Sequence, residues 1–344
     1  MLRRPGRDFH GTRDNAAALA YRAPVWLAGG HAQTIWPYRL PRIRVALARE
    51  RVDTPDGDFW DFDWLAARAA DDAPLVVLFH GLEGGSSSHY ARAMFAALAR
   101  RRMRGVVPHF RGCGGEPNRT PRAYHSGDYA EVGAMLAHLR ARVPSPTPIY
   151  AVGVSLGGSA LLNWLGRNGN DARAIVTAAA AVSAPLDLVA AGRAIDRGVN
   201  RIYARHFLAT LKPKSLGMAR RFPGVLDAKR IRRVRTMWEF DEVVTAPLHG
   251  FGGADDYWSR ASSKPWLRAI AVPTLVLNAR NDPFIPAASL PAQSEVSACV
   301  TLEQPSGGGH AGFAHGPFPG RVEWLPARLL HYFASIVGDD RSRP

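Results

Sequence analysis

The sequence predicts an α/β protein: a mostly parallel sheet with helices on both faces, broken late by a helical cap insertion. Three observations carry this. Short unbroken apolar runs recur, such as "PLVVLFH" (Pro74–His80) and "PIYAVGV" (Pro148–Val154). Runs without polar alternation suit strands buried on both faces. Helix-period segments separate these runs, as crossovers between parallel strands require. The rhythm then stops after Pro185 and resumes at Pro273, and residues 186–265 read as helical and loop-rich with no clear strand.

Taken in order, residues 1–40 are irregular and rich in Arg, Gly and Pro, and residues 41–344 form one domain. Arg42–Val52 and Phe59–Trp64 read as strands joined by the turn residues "DTPDGD". The strand Pro74–His80 meets "GLEGGSSSHY", then a helix from Ala91 to Arg102. Gly105–Phe110 is the next strand. Asp128 and Glu131 have the spacing of a capping box opening a helix to Arg142. Strand Pro148–Val154 turns sharply at Ser155 into a helix ending near Gly166. Strands follow at Ala174–Ser183, Pro273–Ala279 and Val300–Glu303, and a terminal helix runs from about Arg321 to Ile336.

The chain has 344 residues, 47% of them apolar, enough for one large core. The formal charge is +15. Lysine occurs only at Lys212, Lys214, Lys229 and Lys264, so arginine dominates, as a GC-rich coding sequence would produce. The arginines are scattered, and the densest group is Lys229, Arg230, Arg232, Arg233 and Arg235. No basic run carries interleaved aromatics, so a solvated basic surface is favoured over nucleic-acid binding. Cys113 and Cys299 form neither a disulfide framework nor a metal spacing, which fits a reducing compartment. No apolar region follows the basic start "MLRRPGRDFHGTRDN", and no window approaches a membrane span. The expectation is a cytoplasmic protein without a transmembrane segment.

Gly153-Val154-Ser155-Leu156-Gly157 has the form G-x-S-x-G, directly after an apolar strand and directly before a helix. A serine on such a tight turn exposes its hydroxyl, and the helix N-terminus favours developing negative charge. A serine hydroxyl needs a base, and the base needs an orienting acid. On this architecture the chain order is Ser, acid, His. Asp282 in "NARNDPFIP" follows one strand, and His310 in "SGGGHAGF" follows the last. All three fall at strand carboxyl ends, where active residues of open α/β sheets lie. An oxyanion hole needs two backbone N–H groups. Leu156, after the nucleophile, and Leu82 in "HGLEGG" are the expected donors, with Gly81 permitting the turn.

With these residues in view the chain resembles the α/β-hydrolase superfamily, and within it the YheT group related to the eukaryotic Emb8 and ABHD1/2/3 proteins. The matching pieces are "GGHAQTIWP", "HGLEGGSSSHY", "FRGCGG", "YHSGD", "GVSLGGSALLNWLG", "NARNDPF" and "GGHAGF", spread over about residues 25 to 315. The resemblance implies a Ser155–Asp282–His310 charge-relay triad and serine esterase-like chemistry on a small-molecule ester, with a short or medium acyl chain. The eukaryotic relatives carry an N-terminal membrane anchor that this chain lacks, which suits a soluble bacterial form.

Other residues compete for these roles. Asp282 could be only a turn former, and Asp255 and Asp256 are rival acids that precede the expected strand. His315 is a rival base close to His310. His80 reads as shaping the oxyanion loop, and His31, His89 and His125 as packing or hydrogen-bonding groups. Asp128 reads as a helix cap and Cys113 as a small turn residue. No cofactor or metal is called for: no His/Asp/Glu cluster has ligand spacing, and the serine mechanism needs none. In the cap, Ile202, Tyr203, Phe207, Trp238 and Phe240 are candidates for an acyl pocket or for packing. An acyltransferase using the same triad and a non-catalytic binding protein are the alternative readings.

Overall fold

The computed structural model describes residues 20–340. An eight-stranded sheet forms its centre, in the order β1-β2-β4-β3-β5-β6-β7-β8. The strands are β1 (Leu47–Asp53), β2 (Phe59–Leu65), β3 (Leu75–Phe79), β4 (Arg104–Pro108), β5 (Ile149–Val154), β6 (Ala178–Val182), β7 (Thr274–Leu277) and β8 (Val300–Glu303). Only β2 runs against the others, pairing antiparallel with both β1 and β4. From β4 to β8 every pairing is parallel.

The unbroken apolar runs are explained by two separate cores. Leu75, Val77 and Phe79 of β3 point into one, and Val76 and Leu78 into the other. In β6 the alanines divide the same way, Ala179 and Ala181 against Ala178 and Ala180. Successive side chains of a strand face opposite sides, so a strand covered on both faces must be apolar throughout.

The helices follow in chain order. A short α1 (Gly30–Ile35) precedes the sheet. α2 (His89–Arg100) covers one face. α3 (Tyr129–Arg142) and α4 (Leu156–Asn168) cover the other. Between β6 and β7 lie α5 (Leu188–Ile195), α6 (Arg201–Arg221), α7 (Ala228–Arg233), α8 (Met237–Phe240), α9 (Ala246–His249) and α10 (Ala254–Ala261). This cap has its own apolar cluster, built on Leu208 and Leu211 of α6 with Ile231, Met237 and Phe240. A π-helical turn, Asp241–Thr245, joins α8 to α9. The terminal α11 (Trp324–Asp340) packs beside α2.

Four expectations need correction. The first strand begins at Leu47 rather than Arg42, and the alanine strand at Ala178 rather than Ala174, where a 3-10 turn intervenes. The segment read as irregular contains α1 and a 3-10 turn, Trp36–Arg39; the part before residue 20 lies outside the described residues. The capping box at α3 does not form. Asp128 takes a hydrogen bond from Arg122 (2.9 Å), and Glu131 receives Arg111 Nε (2.7 Å) and Trp60 Nε1 (2.6 Å). Arg111 has a side chain only 3% exposed, and a buried guanidinium demands carboxylates more strongly than a helix end demands a cap.

Candidate active site

The site is assembled from loops at the carboxyl ends of β3, β5, β7 and β8. Ser155 follows β5 with φ 54° and ψ −121°, backbone angles that L-residues rarely adopt. Its N–H donates to the Val182 carbonyl (2.8 Å), which ties the turn to β6. The two glycines of the motif allow close approach. A Cβ on Gly153 would lie 2.5 Å from the Gly157 carbonyl oxygen, and one on Gly157 2.5 Å from that of His80.

The structure brings Ser155, His310 and Asp282 together. His310 Nε2 lies 2.9 Å from Ser155 Oγ, and Nδ1 lies 2.8 Å from Asp282 Oδ2. The Asp282 side chain is fully buried, and its Oδ1 accepts the Phe284 N–H (2.8 Å). A carboxylate can only accept, so the imidazole proton sits on Nδ1. Nε2 is then left with its lone pair facing the serine hydroxyl. The Phe284 ring lies against His310 with centroids 4.2 Å apart.

Leu82 and Leu156 both line the space over Ser155. Among the described residues neither of their N–H groups has a hydrogen-bond partner. The Leu82 turn is closed by Gly84 N–H to the Gly81 carbonyl (2.9 Å). The positive φ of this turn falls on Glu83 (56°), not on Gly81. Gly81 instead lies close under the serine turn: a Cβ there would stand 3.1 Å from Ser155 Cβ. Glu83 is held from two sides, by Tyr124 Oη (3.0 Å) and by Lys214 Nζ of the cap helix α6 (2.8 Å).

None of the rivals joins the hydrogen-bonded line of Ser155, His310 and Asp282. Asp256 accepts from Arg260 and the Gly252 N–H, and His315 lies 3.9 Å from Glu323. His80 accepts the Phe110 N–H at Nε2 and donates from Nδ1 to the Gly81 carbonyl (2.8 Å). Burial pushes its pKa down to about 3, so it is a neutral brace for the Leu82 turn. His89 bonds the Ala311 carbonyl, His31 bonds Tyr203 Oη, and His125 packs against His249. Burial pushes the Cys113 thiol up to about 11, which leaves no thiolate at neutral pH.

Several residues of the site escaped the sequence reading. Gln33 Oε1 accepts from the Gly308 N–H (2.7 Å) and from Asn281 Nδ2 (2.9 Å). Thr34 Oγ1 accepts the His310 N–H (2.9 Å). Asn281 Oδ1 accepts the Gly309 N–H (3.1 Å), and Ser183 Oγ accepts the Ala311 N–H (2.9 Å). Gln33 and Thr34 belong to "GGHAQTIWP", a piece of the family resemblance, but nothing local in it points to His310.

A cavity of about 440 Å³ opens over Ser155 and His310 beneath the cap. Phe207, Leu211, Met237, Phe240 and Val244 contribute apolar walls. Of the cap candidates, Phe207 and Phe240 therefore line the cavity. Tyr203 packs on Phe284, and Ile202 and Trp238 are exposed by 62% and 40%.

Comparison with known proteins bears on the family and the fold. Residues 74–317 match the family with the alpha/beta hydrolase fold. The chain is 39% identical over 312 residues to a protein of Escherichia coli (strain K12) named "Putative esterase YheT", covering 89% of this chain and 91% of that one. The chain belongs to the α/β hydrolases, in the YheT group. Within that family it is 30% identical to human Phospholipase ABHD3, over 92% of this chain and 79% of the relative. Among solved structures, the Pyrococcus furiosus esterase Pf2001 superposes with a TM-score of 0.54 at 15% identity, covering 86% of this chain and 96% of that one. That likeness is one of fold. No helix among the described residues of this α/β hydrolase is long and apolar enough to cross a membrane.

Proposed function

We propose that this α/β hydrolase is a serine hydrolase of carboxylic esters, with Ser155 as nucleophile, His310 as base and Asp282 as orienting acid. The continuous line of hydrogen bonds from Asp282 through His310 to Ser155, at 2.8 and 2.9 Å, carries the reading. Ser155 attacks the ester carbonyl as His310 Nε2 takes its proton. The N–H groups of Leu82 and Leu156 stabilise the resulting oxyanion. Asp282 holds the tautomer and stabilises the imidazolium. His310 then gives the proton to the departing alcohol, leaving an acyl-enzyme on Ser155 Oγ. Water attacks this ester with His310 again as base, releasing the acid and restoring the serine. The apolar cavity, within the size range of small-molecule sites, suits an ester of short or medium acyl chain. The names of the YheT and ABHD3 relatives support ester chemistry.

Labelling with a fluorophosphonate, read by intact mass, tests the nucleophile. One adduct is expected on the wild type and none on Ser155→Ala. Turnover of p-nitrophenyl esters should fall by ~10⁴-fold or more in that variant. Retained turnover would remove Ser155 from the mechanism. Product analysis in the presence of an added alcohol separates hydrolysis from acyl transfer.

A further inference from the structure

Two segments far apart in sequence form an exposed aromatic surface. Trp26 and Trp36 meet edge-on at 5.5 Å, and Phe318 lies 5.4 Å from the first ring and 5.8 Å from the second. The indole N–H groups are already satisfied, by the Gly316 carbonyl (3.0 Å) and the Pro319 carbonyl (2.7 Å). The cluster therefore needs no water for its polar atoms. Phe318 is 69% exposed, the neighbouring Val25 99% and Ile35 49%. Single exposed apolar residues are ordinary, but a group of them marks an interaction surface.

The two segments that carry these side chains, residues 20–49 and 304–322, bring charge of one sign. Arg22, Arg39, Arg42, Arg44 and Arg321 are exposed, and none has a carboxylate partner among the described residues. No Asp or Glu occurs in residues 20–49 or 304–322. Of the flanking acids, Glu50 pairs with Arg142 (2.8 Å), and Glu323 stands 3.9 Å from His315. We infer that the surface of Trp26, Trp36, Phe318, Val25 and Ile35, with its arginine rim, docks on an anionic lipid bilayer. Aromatic and aliphatic side chains bury in the interface while arginines hold the headgroup phosphates. A second copy fits poorly, because a two-fold contact would set arginines against arginines. A single-stranded nucleic acid would need open ring faces for stacking, whereas Trp26 packs edge-to-face on both Trp36 and Phe318. The docked segments are those that brace His310 through Gln33 and Thr34, so docking sets the His310 loop beside the bilayer. The inference stands apart from the ester-hydrolase reading, since it concerns only binding.

Flotation of the full chain with phosphatidylcholine vesicles, with and without phosphatidylglycerol, tests it. Binding is expected only with the anionic lipid, falling as salt rises. Val25→Ser with Phe318→Ser, and separately Arg39→Glu with Arg42→Glu, should each weaken it at least about tenfold. The control Arg232→Glu with Arg233→Glu, on α7 of the cap, should bind as the wild type does. Arg39 and Arg42 are exposed and without carboxylate partners, so their reversal leaves the fold intact, which a melting curve checks. The inference is overturned if the wild type does not float, or if neither pair of patch substitutions weakens flotation. It is equally overturned if the surface mediates self-association in sedimentation velocity without any vesicle binding.

Discussion

At Ser155 the chain accepts a backbone conformation that its side chain does not favour. The φ of 54° with ψ of −121° is a glycine-type conformation, and the serine is held there by β6 and by the start of α4. Relieving it should be measurable. Ser155→Gly and Ser155→Ala both lack the hydroxyl, but Gly fits the angles. Strain of ~1–3 kcal/mol, less glycine's entropy of ~0.5–1 kcal/mol, leaves the Gly variant about 1 kcal/mol the more stable in chemical denaturation. Equal stabilities would mean the turn is not strained. A second residue, Asp241, accepts from Trp258 Nε1 (2.7 Å) and Thr245 Oγ1 (2.6 Å), and burial pushes its carboxyl up to about 7. An unfolded Asp ionises near 3.8. Between these values the folded protein keeps a proton the unfolded chain has lost, so this group's contribution to stability drains away as pH rises. Asp241→Asn copies the neutral form. Its melting temperature should exceed the wild type's most at pH 8, with the gap closing toward pH 4.

Among the elements, the short α1 holds the His310 loop. It is six residues long and has no capping side chain, so its stability comes from contacts rather than propensity. Gly30 packs so closely on the Asn281 carbonyl that any Cβ would collide with it. From there Gln33 and Thr34 reach the backbone N–H groups of Gly308 and His310. Gln33→Ala removes the shared acceptor of Gly308 and Asn281 while leaving the triad side chains in place. A base displaced by a fraction of an ångström costs rate, so kcat on a soluble ester should fall by about 10- to 100-fold with the cavity unchanged. Unchanged kcat would make Gln33 a packing residue only. The cap acts on the opposite side of the site, where Lys214 of α6 grips Glu83 in the Leu82 turn.

For the molecule as a whole, buried histidines shape the response to acid. Burial lowers His80 to about 3 and His89 and His249 to about 4, and holds His125 well below its ordinary value. Unfolded, each would take up a proton near 6.5. As pH falls below 6.5 the unfolded chain therefore gains protons that the folded one refuses, and stability falls by up to ~1.4 kcal/mol per pH unit for each such group. Asp241, and Asp128 held up at about 6 by burial, act in the opposite sense over part of the same range. The histidines outnumber them. The melting temperature should drop between pH 6.5 and 4.5, and a flat profile there would contradict the burial of these rings.

The strands and the serine turn were legible in the sequence because each is a local pattern, and the order Ser155, Asp282, His310 because the architecture those patterns imply sets it. A strand buried on two faces must be uniformly apolar, as in Leu75–Phe79, and a turn between such a strand and a helix shows its glycines. Tertiary structure alone decided the rest. Gln33 and Gly308 are 275 positions apart, and nothing near either one announces the other. The spacing of Asp128 and Glu131 favoured a cap, but buried Arg111, twenty positions from Glu131, took that carboxylate instead. Phe207 and Trp238 looked alike as apolar cap residues, and only packing sent one to the cavity and left the other exposed. Local propensities fix what a segment is. Which distant groups a buried charge, an amide or a ring finally meets depends on the whole chain's closure around them.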